Sequence, residues 1–404
     1  MKWEKVKLGD IATCIQPGPF GSQLHNSDYS KEGTPIIMPK DIVGGAIVHS
    51  GLLKVSEEHV KRLSRHQVYE GNLMVARKGD VRKCAYITAN ENGWMTGSDC
   101  LKVVLDESKC YPKFIYYQLR SEHIGRWLEK VSIGATMPSL NTGLLSGIEM
   151  VLPPIEIQKQ IAGILSVYDD LIENNRKQIK LLEEAAQRLY KEWFVDLRFP
   201  GHENTKIVDG VPEGWSKSTV SEVSAVLRRG ISPKYNEKAR GIVINQKCIR
   251  QTIVSYDEAR TQEKKYPAEL EMMESDIVIC STGAGTLGRV GQIFEAKGNA
   301  TLDSHVTLIR ANEKIGQQSL FWSLKMKQDY LMSAGKGSTN QLELSRETIG
   351  NCKILVPEWK MAGQAEKNFA AIHDKMKECS MKITRLREAR NLLLPKLMSG
   401  EVEI

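Results

Sequence analysis

Residues Gly283-Ala-Gly-Thr-Leu-Gly288 have the spacing G-x-G-x-x-G and follow an apolar run, Asp276-Ile-Val-Ile-Cys. Glycines so placed let a backbone close around a pyrophosphate, which the N-terminus of the next helix then holds. Here the next residues are Arg289-Val-Gly-Gln-Ile-Phe, which read as a second strand. The stretch is therefore read as a glycine-rich hairpin; an enzyme built on it would have to bind a nucleotide, and no such binding is expected. Glu107-Ser-Lys109, with Asp99 upstream, resembles a nuclease carboxylate–lysine set, but in a chain that is 26% charged such coincidences are expected. There is no Asn-Pro-Pro-aromatic tetrad, no Walker A loop and no His-Glu-x-x-His. Cys84, Cys100 and Cys110 fit no zinc spacing and no Cys-x-x-Cys occurs, which favours reduced thiols and a cytoplasmic protein. No catalytic residue and no metal ligand is expected.

The remaining chemistry is electrostatic and polar. Basic clusters occur at Lys61, Arg62, Arg65 and His66, at Arg77, Lys78, Arg82 and Lys83, and at Arg228, Arg229, Lys234, Lys238 and Arg240. Such clusters can neutralise phosphates. Glycine-led or amide-rich loops can reach base edges: Pro19-Phe-Gly-Ser-Gln, Asn245-Gln-Lys, Ser281-Thr-Gly and Gly337-Ser-Thr-Asn-Gln. The candidate DNA-contacting residues in the first half are Phe20, Ser22, Gln23, Lys40, Arg77, Lys78 and Thr136. In the second half they are Arg229, Lys234, Asn245, Gln246, Lys247, Ser281, Thr282, Arg289 and Thr339. A solvated face accounts for any single cluster, and the net charge of +7 is compatible with nucleic acid without requiring it.

Something must position these loops. Thr34-Pro-Ile-Ile-Met, Gly44-Gly-Ala-Ile-Val, Asn72-Leu-Met-Val-Ala and Leu101-Lys-Val-Val-Leu read as strands. One helix is expected over Pro112–Lys130, then a polar loop from Gly134 to Asn141 and a strand at Ile148-Glu-Met-Val-Leu. The order repeats. Ile36-Ile-Met-Pro-Lys-Asp-Ile returns as Val243-Ile-Asn-Gln-Lys-Cys-Ile, and Asn72-Leu-Met-Val-Ala-Arg-Lys-Gly as Asp276-Ile-Val-Ile-Cys-Ser-Thr-Gly.

Each half ends in a heptad seam. The first runs Ile161, Leu165, Tyr168, Ile172, Asn175, Ile179, Leu182, Ala186, Leu189, Trp193. Adding 204 to each number gives Ala365, Phe369, Ile372, Met376, Cys379, Ile383, Leu386, Arg390, Leu393, Leu397. A seam this regular needs a partner helix, and two such helices in one chain supply it to each other. The first delivers the chain to the second domain and the second starts where that domain ends, so pairing along the seam makes them antiparallel. Asn175 would fix the register near Cys379 and Ile383. The expected fold class is α+β: two similar mixed α/β domains at opposite ends of a long antiparallel two-helix coiled coil, with pseudo-twofold symmetry. The expected boundaries are domain 1 at 1–152, helical region 1 at 153–200, domain 2 at 201–355 and helical region 2 at 356–404. No apolar run is long enough for a membrane span.

Five stretches together resemble one family. They are Pro19-Phe-Gly-Ser-Gln-Leu; Leu152-Pro-Pro-Ile with Gln158; Ala186-Gln-Arg-Leu-Tyr-Lys-Glu-Trp-Phe-Val-Asp-Leu-Arg-Phe-Pro-Gly201; Gly210-Val-Pro-Glu-Gly-Trp215; and Leu392-Leu-Leu-Pro-Lys-Leu-Met-Ser-Gly400. The chain resembles the specificity subunits of type I restriction-modification systems, which act in host defence and DNA methylation. The resemblance implies two target-recognition domains reading a bipartite, asymmetric double-stranded DNA target across a helical spacer. It implies a non-catalytic subunit that assembles two methyltransferase (M) subunits and restriction/translocation (R) subunits. Those partners would use S-adenosylmethionine, ATP and Mg; this chain would bind no cofactor. The second helix departs from the pattern, because Val356-Pro-Glu-Trp lacks the second proline and Arg390 interrupts the seam. The alternative reading is a two-headed protein-binding scaffold without sequence-specific DNA recognition.

Overall fold

The computed structural model describes residues 3–132, 138–283, 285–335 and 342–402; Thr136 and Thr339 lie outside them. The chain forms two compact units, Met1–Glu173 with Thr384–Ile404, and Asn174–Ile383, so the division falls inside both long helices.

In the first unit, one sheet has the order Ala12–Pro17, Cys100–Leu105, Leu73–Ala76, Cys84–Tyr86, all antiparallel. A second sheet sets Thr34–Ile37 parallel to Met95–Thr96 and antiparallel to Leu53–Val55. All four residues of Leu73–Ala76 are buried, because the strand is covered on both faces. Leu73 and Val75 enter one core with Leu101, Val103, Phe114 and Ile115. Met74 enters the other with Ile37, Ala85 and Cys100. A period of two thus sorts one strand between two cores.

The second unit repeats the topology. Its sheet runs Ser224–Arg229, Val306–Ala311, Ile277–Cys280, Val290–Gln292, and Gly241–Ile244 lies parallel to Ala300–Leu302. The same sorting recurs, with Ile277, Ile279 and Ile309 in one core and Val278, Cys280 and Leu308 in the other. The G-x-G-x-x-G stretch joins the antiparallel strands Ile277–Cys280 and Val290–Gln292, as the hairpin reading requires.

One expectation needs correction, and one short helix was not foreseen. The segment expected as one helix over 112–130 is two, Pro112–Leu119 and Glu122–Val131. Ser121 divides them, because its hydroxyl accepts from the Ile124 N–H at 3.4 Å and caps the second helix. Of the polar loop expected over 134–141, residues 134–137 lie outside the described ones; Asn141 caps a short helix, Thr142–Ser146, that the sequence reading missed, its Oδ1 accepting from the Leu144 N–H at 2.8 Å.

The first long helix is Ile155–Tyr190, and a π turn at Lys191–Val195 ends it. The second is Trp359–Ser399. Every seam position on both is buried or half-buried, including the expected Ile161, Leu165, Ile172, Asn175, Ile179, Leu182, Phe369, Ile372, Met376, Ile383 and Leu386.

Within the first unit the helices run antiparallel. Ile161 and Leu165 share a core with Leu394 and Leu397, and Asp169 pairs with Arg390. Arg390, which the sequence presented as an interruption, is thereby accommodated. Its partner Asp169 also accepts from the Tyr117 hydroxyl at 2.8 Å and lies 3.7 Å from the Arg120 guanidinium. Burial, then the Asp169 carboxylate, pushes the Tyr117 phenol far up, so it stays a donor.

Within the second unit the pairing is also antiparallel. The Cys379 thiol donates to Gln178 Oε1 at 3.3 Å, and the rings of Tyr190 and Phe369 lie 6.5 Å apart. Gln178, one turn beyond the buried Asn175, lies against Cys379. Trp193, Phe194, Phe199 and Trp215 close the end of the first helix as an aromatic cluster. Gln158 ties the other end to its domain, accepting from the Tyr111 N–H and donating to the Pro153 carbonyl, both at 2.8 Å. Among the described residues no helix is long and apolar enough to cross a membrane.

Candidate nucleic-acid interface

Strand register gathers the candidate residues of each unit. In the first, Pro17 pairs with Leu101, Ala76 with Cys100 and Ile37 with Thr96. The segments carrying Phe20, Ser22, Gln23, Lys40, Arg77 and Lys78 therefore all leave the sheets at one edge. Phe20 is 53% exposed, and the Arg77 guanidinium lies 5.5 Å from its ring centroid. An exposed ring carrying a cation can stack on a base and face phosphates at once. Lys78 pairs with Asp99 at 3.3 Å. The Lys83 ammonium donates to the Pro39 carbonyl at 3.0 Å and braces the loop that exposes Lys40. Arg62 donates to the backbone carbonyl of Gln23 at 2.8 Å.

Some residues of the basic clusters do other work. Arg82 turns away to Glu122 and Glu129 on the helix Glu122–Val131. His66 is buried, and burial, helped by the charges of Arg65 and Lys102, pushes its imidazole down to about 4. It is a neutral core residue, not a phosphate ligand. The unfolded chain protonates such a ring near pH 6.5, whereas the folded state resists protonation until about 4. Stability attributable to His66 is therefore present above about pH 6.5 and is lost as pH falls towards 4. We expect a loss of about 2 kcal/mol across that window, absent in His66→Phe, from urea denaturation at a series of pH values. Equal acid sensitivity of the two proteins would contradict it.

In the second unit, Arg229 pairs with Thr307, Cys280 with Val306 and Ile244 with Leu302. The corresponding edge again collects the loops. Two candidates are corrected. Ser281 is fully buried, its hydroxyl 2.6 Å from that of Thr307. Asn245 is buried too; it accepts from the Lys247 N–H and donates to the Glu258 carbonyl, both at 2.8 Å. These side chains hold the loops from inside. Arg229 pairs with Glu343 at 2.7 Å and donates to the Leu344 carbonyl at 3.0 Å. Lys234 pairs with Glu263, which raises its pKa. Lys247 is exposed, while Gln246, Thr282 and Arg289 are partly exposed.

Sequence reasoning missed His305 and a stacked pair. The Arg260 guanidinium sits 3.5 Å from the Tyr235 ring centroid. His305 Nδ1 lies 2.7 Å from the Thr282 hydroxyl. The repeat could have found His305, because it holds the place of Asp99. The Arg77 N–H donates to the Asp99 carbonyl at 2.7 Å, and the Ser281 N–H to the His305 carbonyl at 2.8 Å. An ionic pair, Lys78 with Asp99, thus becomes a hydroxyl–imidazole pair, Thr282 with His305.

Gly283 shapes this edge. Its φ is +104°, and an added Cβ would stand 2.3 Å from Thr286 Oγ1 and 2.9 Å from Gln246 Nε2. Gly283→Ala is expected to cost about 1–2 kcal/mol in thermal stability. It should also displace Gln246.

Residues 1–184 match the model of the family described as type I restriction modification DNA specificity domain. Over its whole length the chain resembles type I restriction-modification specificity subunits. It is 24% identical to the type I restriction enzyme MjaIX specificity subunit of Methanocaldococcus jannaschii, covering 100% of this chain and 94% of that protein. It is 22% identical to the type I restriction enzyme HindI specificity subunit of Haemophilus influenzae, covering 99% of each. The crystal structure of the type I restriction-modification S subunit from M. genitalium superposes with a TM-score of 0.56 at 17% identity, over 98% of this chain and 96% of that one. At that identity the likeness shows the fold. The specificity subunits thus share with this chain both sequence along its length and architecture.

Proposed function

We propose that this chain is the DNA-recognising specificity subunit of a type I restriction-modification complex, with each domain reading one half of a bipartite, asymmetric target. The observation that carries this reading is the pair of edges. Both domains gather their loops by the same strand register, yet one edge presents Phe20 with Arg77 and Lys78 with Asp99, the other Gln246 and Thr282 with His305. One scaffold with two chemistries suits two different half-sites. The paired helices serve as the spacer between the readers, and faces of the helices away from the seam would dock two methyltransferase subunits. Those subunits would supply S-adenosylmethionine chemistry, and restriction/translocation subunits ATP- and Mg-dependent steps, in the cytoplasm; this chain would position them without catalysing.

The test is binding to a duplex carrying the methylated target sequence and to a scrambled duplex, across salt concentrations. Recognition predicts that the target is preferred by at least about 1,000-fold and that both affinities fall with salt. Equal affinity for the two duplexes would favour the protein-binding scaffold.

A further inference from the structure

We propose that His305, together with Gln246, reads an adenine in the half-site of the second domain, an inference that rests on the DNA-recognition reading above. The reasoning follows the hydrogens. Gln246 Oε1 can only accept, and it faces the Thr282 hydroxyl at 3.4 Å. That hydroxyl has one hydrogen and also lies 2.7 Å from His305 Nδ1. If Thr282 donates to Gln246, His305 Nδ1 must be the donor to Thr282. The row is then polarised in one direction, His305 to Thr282 to Gln246.

The polarity decides what faces outward. Gln246 has one acceptor position of its oxygen engaged by Thr282 and offers its amino group as a donor. With its proton on Nδ1, the His305 ring offers Nε2 as an acceptor. A donor beside an acceptor complements the major-groove edge of adenine, whose N7 accepts and whose N6 amino group donates. A lone glutamine commonly makes both bonds to adenine itself. Here its carbonyl is already engaged by Thr282, and His305 supplies a further acceptor beside the Gln246 amino group.

The surroundings fit this division of labour. His305 is exposed, and its backbone is fixed twice, its N–H donating to Asp303 Oδ1 at 2.9 Å and its carbonyl accepting from Ser281 at 2.8 Å. Lys247, exposed next to Gln246, is placed to meet a phosphate. In the first domain the equivalent pair is Lys78 with Asp99, whose donor and acceptor are charged. The same structural slot therefore reads different bases in the two halves.

The experiment is methylome sequencing of cells that express the full chain with its methyltransferase partner, comparing wild type with His305→Asn and Thr282→Val. Asparagine keeps a donor where Nδ1 stood but loses the reach of Nε2, and valine removes the relay at constant size. Thermal melting of both purified variants serves as the folding control. The expected result is that both variants relax the preference for one A·T pair in one half-site by about 10- to 100-fold, with every other position unchanged. A variant target identical to wild type, or relaxation at a G·C pair, would overturn the assignment of His305 while leaving the recognition function standing. Wild-type methylation without any sequence preference would sink both.

Discussion

Asp169→Ala is expected to destabilise the first unit by about 3 kcal/mol, read as a lower midpoint in urea unfolding. The side chains of Arg390 and Arg120 are only 12% and 15% exposed, and the Asp169 carboxylate lies between them and the Tyr117 hydroxyl. Removing it leaves two nearly buried cations without a counter-charge and a buried phenol without its acceptor. Such one-sided removal typically costs about 3–5 kcal/mol, and the 27% exposure of Asp169 places this case at the lower end. Asp169→Asn retains an acceptor for Tyr117 and should fall between wild type and alanine. Asp169→Leu combined with Arg390→Leu should recover part of the loss, because Leu394 and Leu397 already line that stretch. An alanine variant as stable as wild type would show that the carboxylate is not what holds Arg390 in the seam.

On the proposed spacer reading, lengthening the paired helices changes the gap in the target and leaves the half-sites as they are. One heptad inserted after Glu173 and another after Ile383 keeps the seam phase in both helices and falls where the two units divide. Seven residues add about 10 Å of helix, the rise of about three base pairs. Methylome sequencing should then show the same two half-sites separated by a longer non-specific stretch. Altered half-sites with an unchanged gap would refute the spacer reading. Keeping whole heptads matters, since a four-residue insertion would turn Ile179 and Leu182 out of the seam and confound a lost gap with a lost fold.

Much of this architecture was legible because it rests on periodicity. The seam from Ile161 to Trp193, and its echo 204 residues later, needs only side-chain spacing to be seen, and every one of those positions is buried or half-buried. The hairpin at Gly283 was equally plain, since a strand pattern followed the glycines where a nucleotide site needs a helix. The break at Ser121 was missed because a cap acts through one hydroxyl and leaves the apolar spacing on either side intact. Thr136 and Thr339 fall outside the described residues.

The candidate interface divides along the same line. By itself the sequence determined that two similar domains alternate with two matched helices, and that loops rich in cations and amides follow the strands. Those are one-dimensional properties, set by spacing and repetition. Only the tertiary structure decided which side chains face out. It turned Ser281 and Asn245 inward, made His66 a neutral core residue, gave Arg390 its partner in Asp169, and set His305 against Thr282. Each of these outcomes depends on a partner distant in sequence, brought close by strand register or helix pairing. Hydrogen bonds and charge pairs act over about 3–4 Å, a distance no residue spacing encodes.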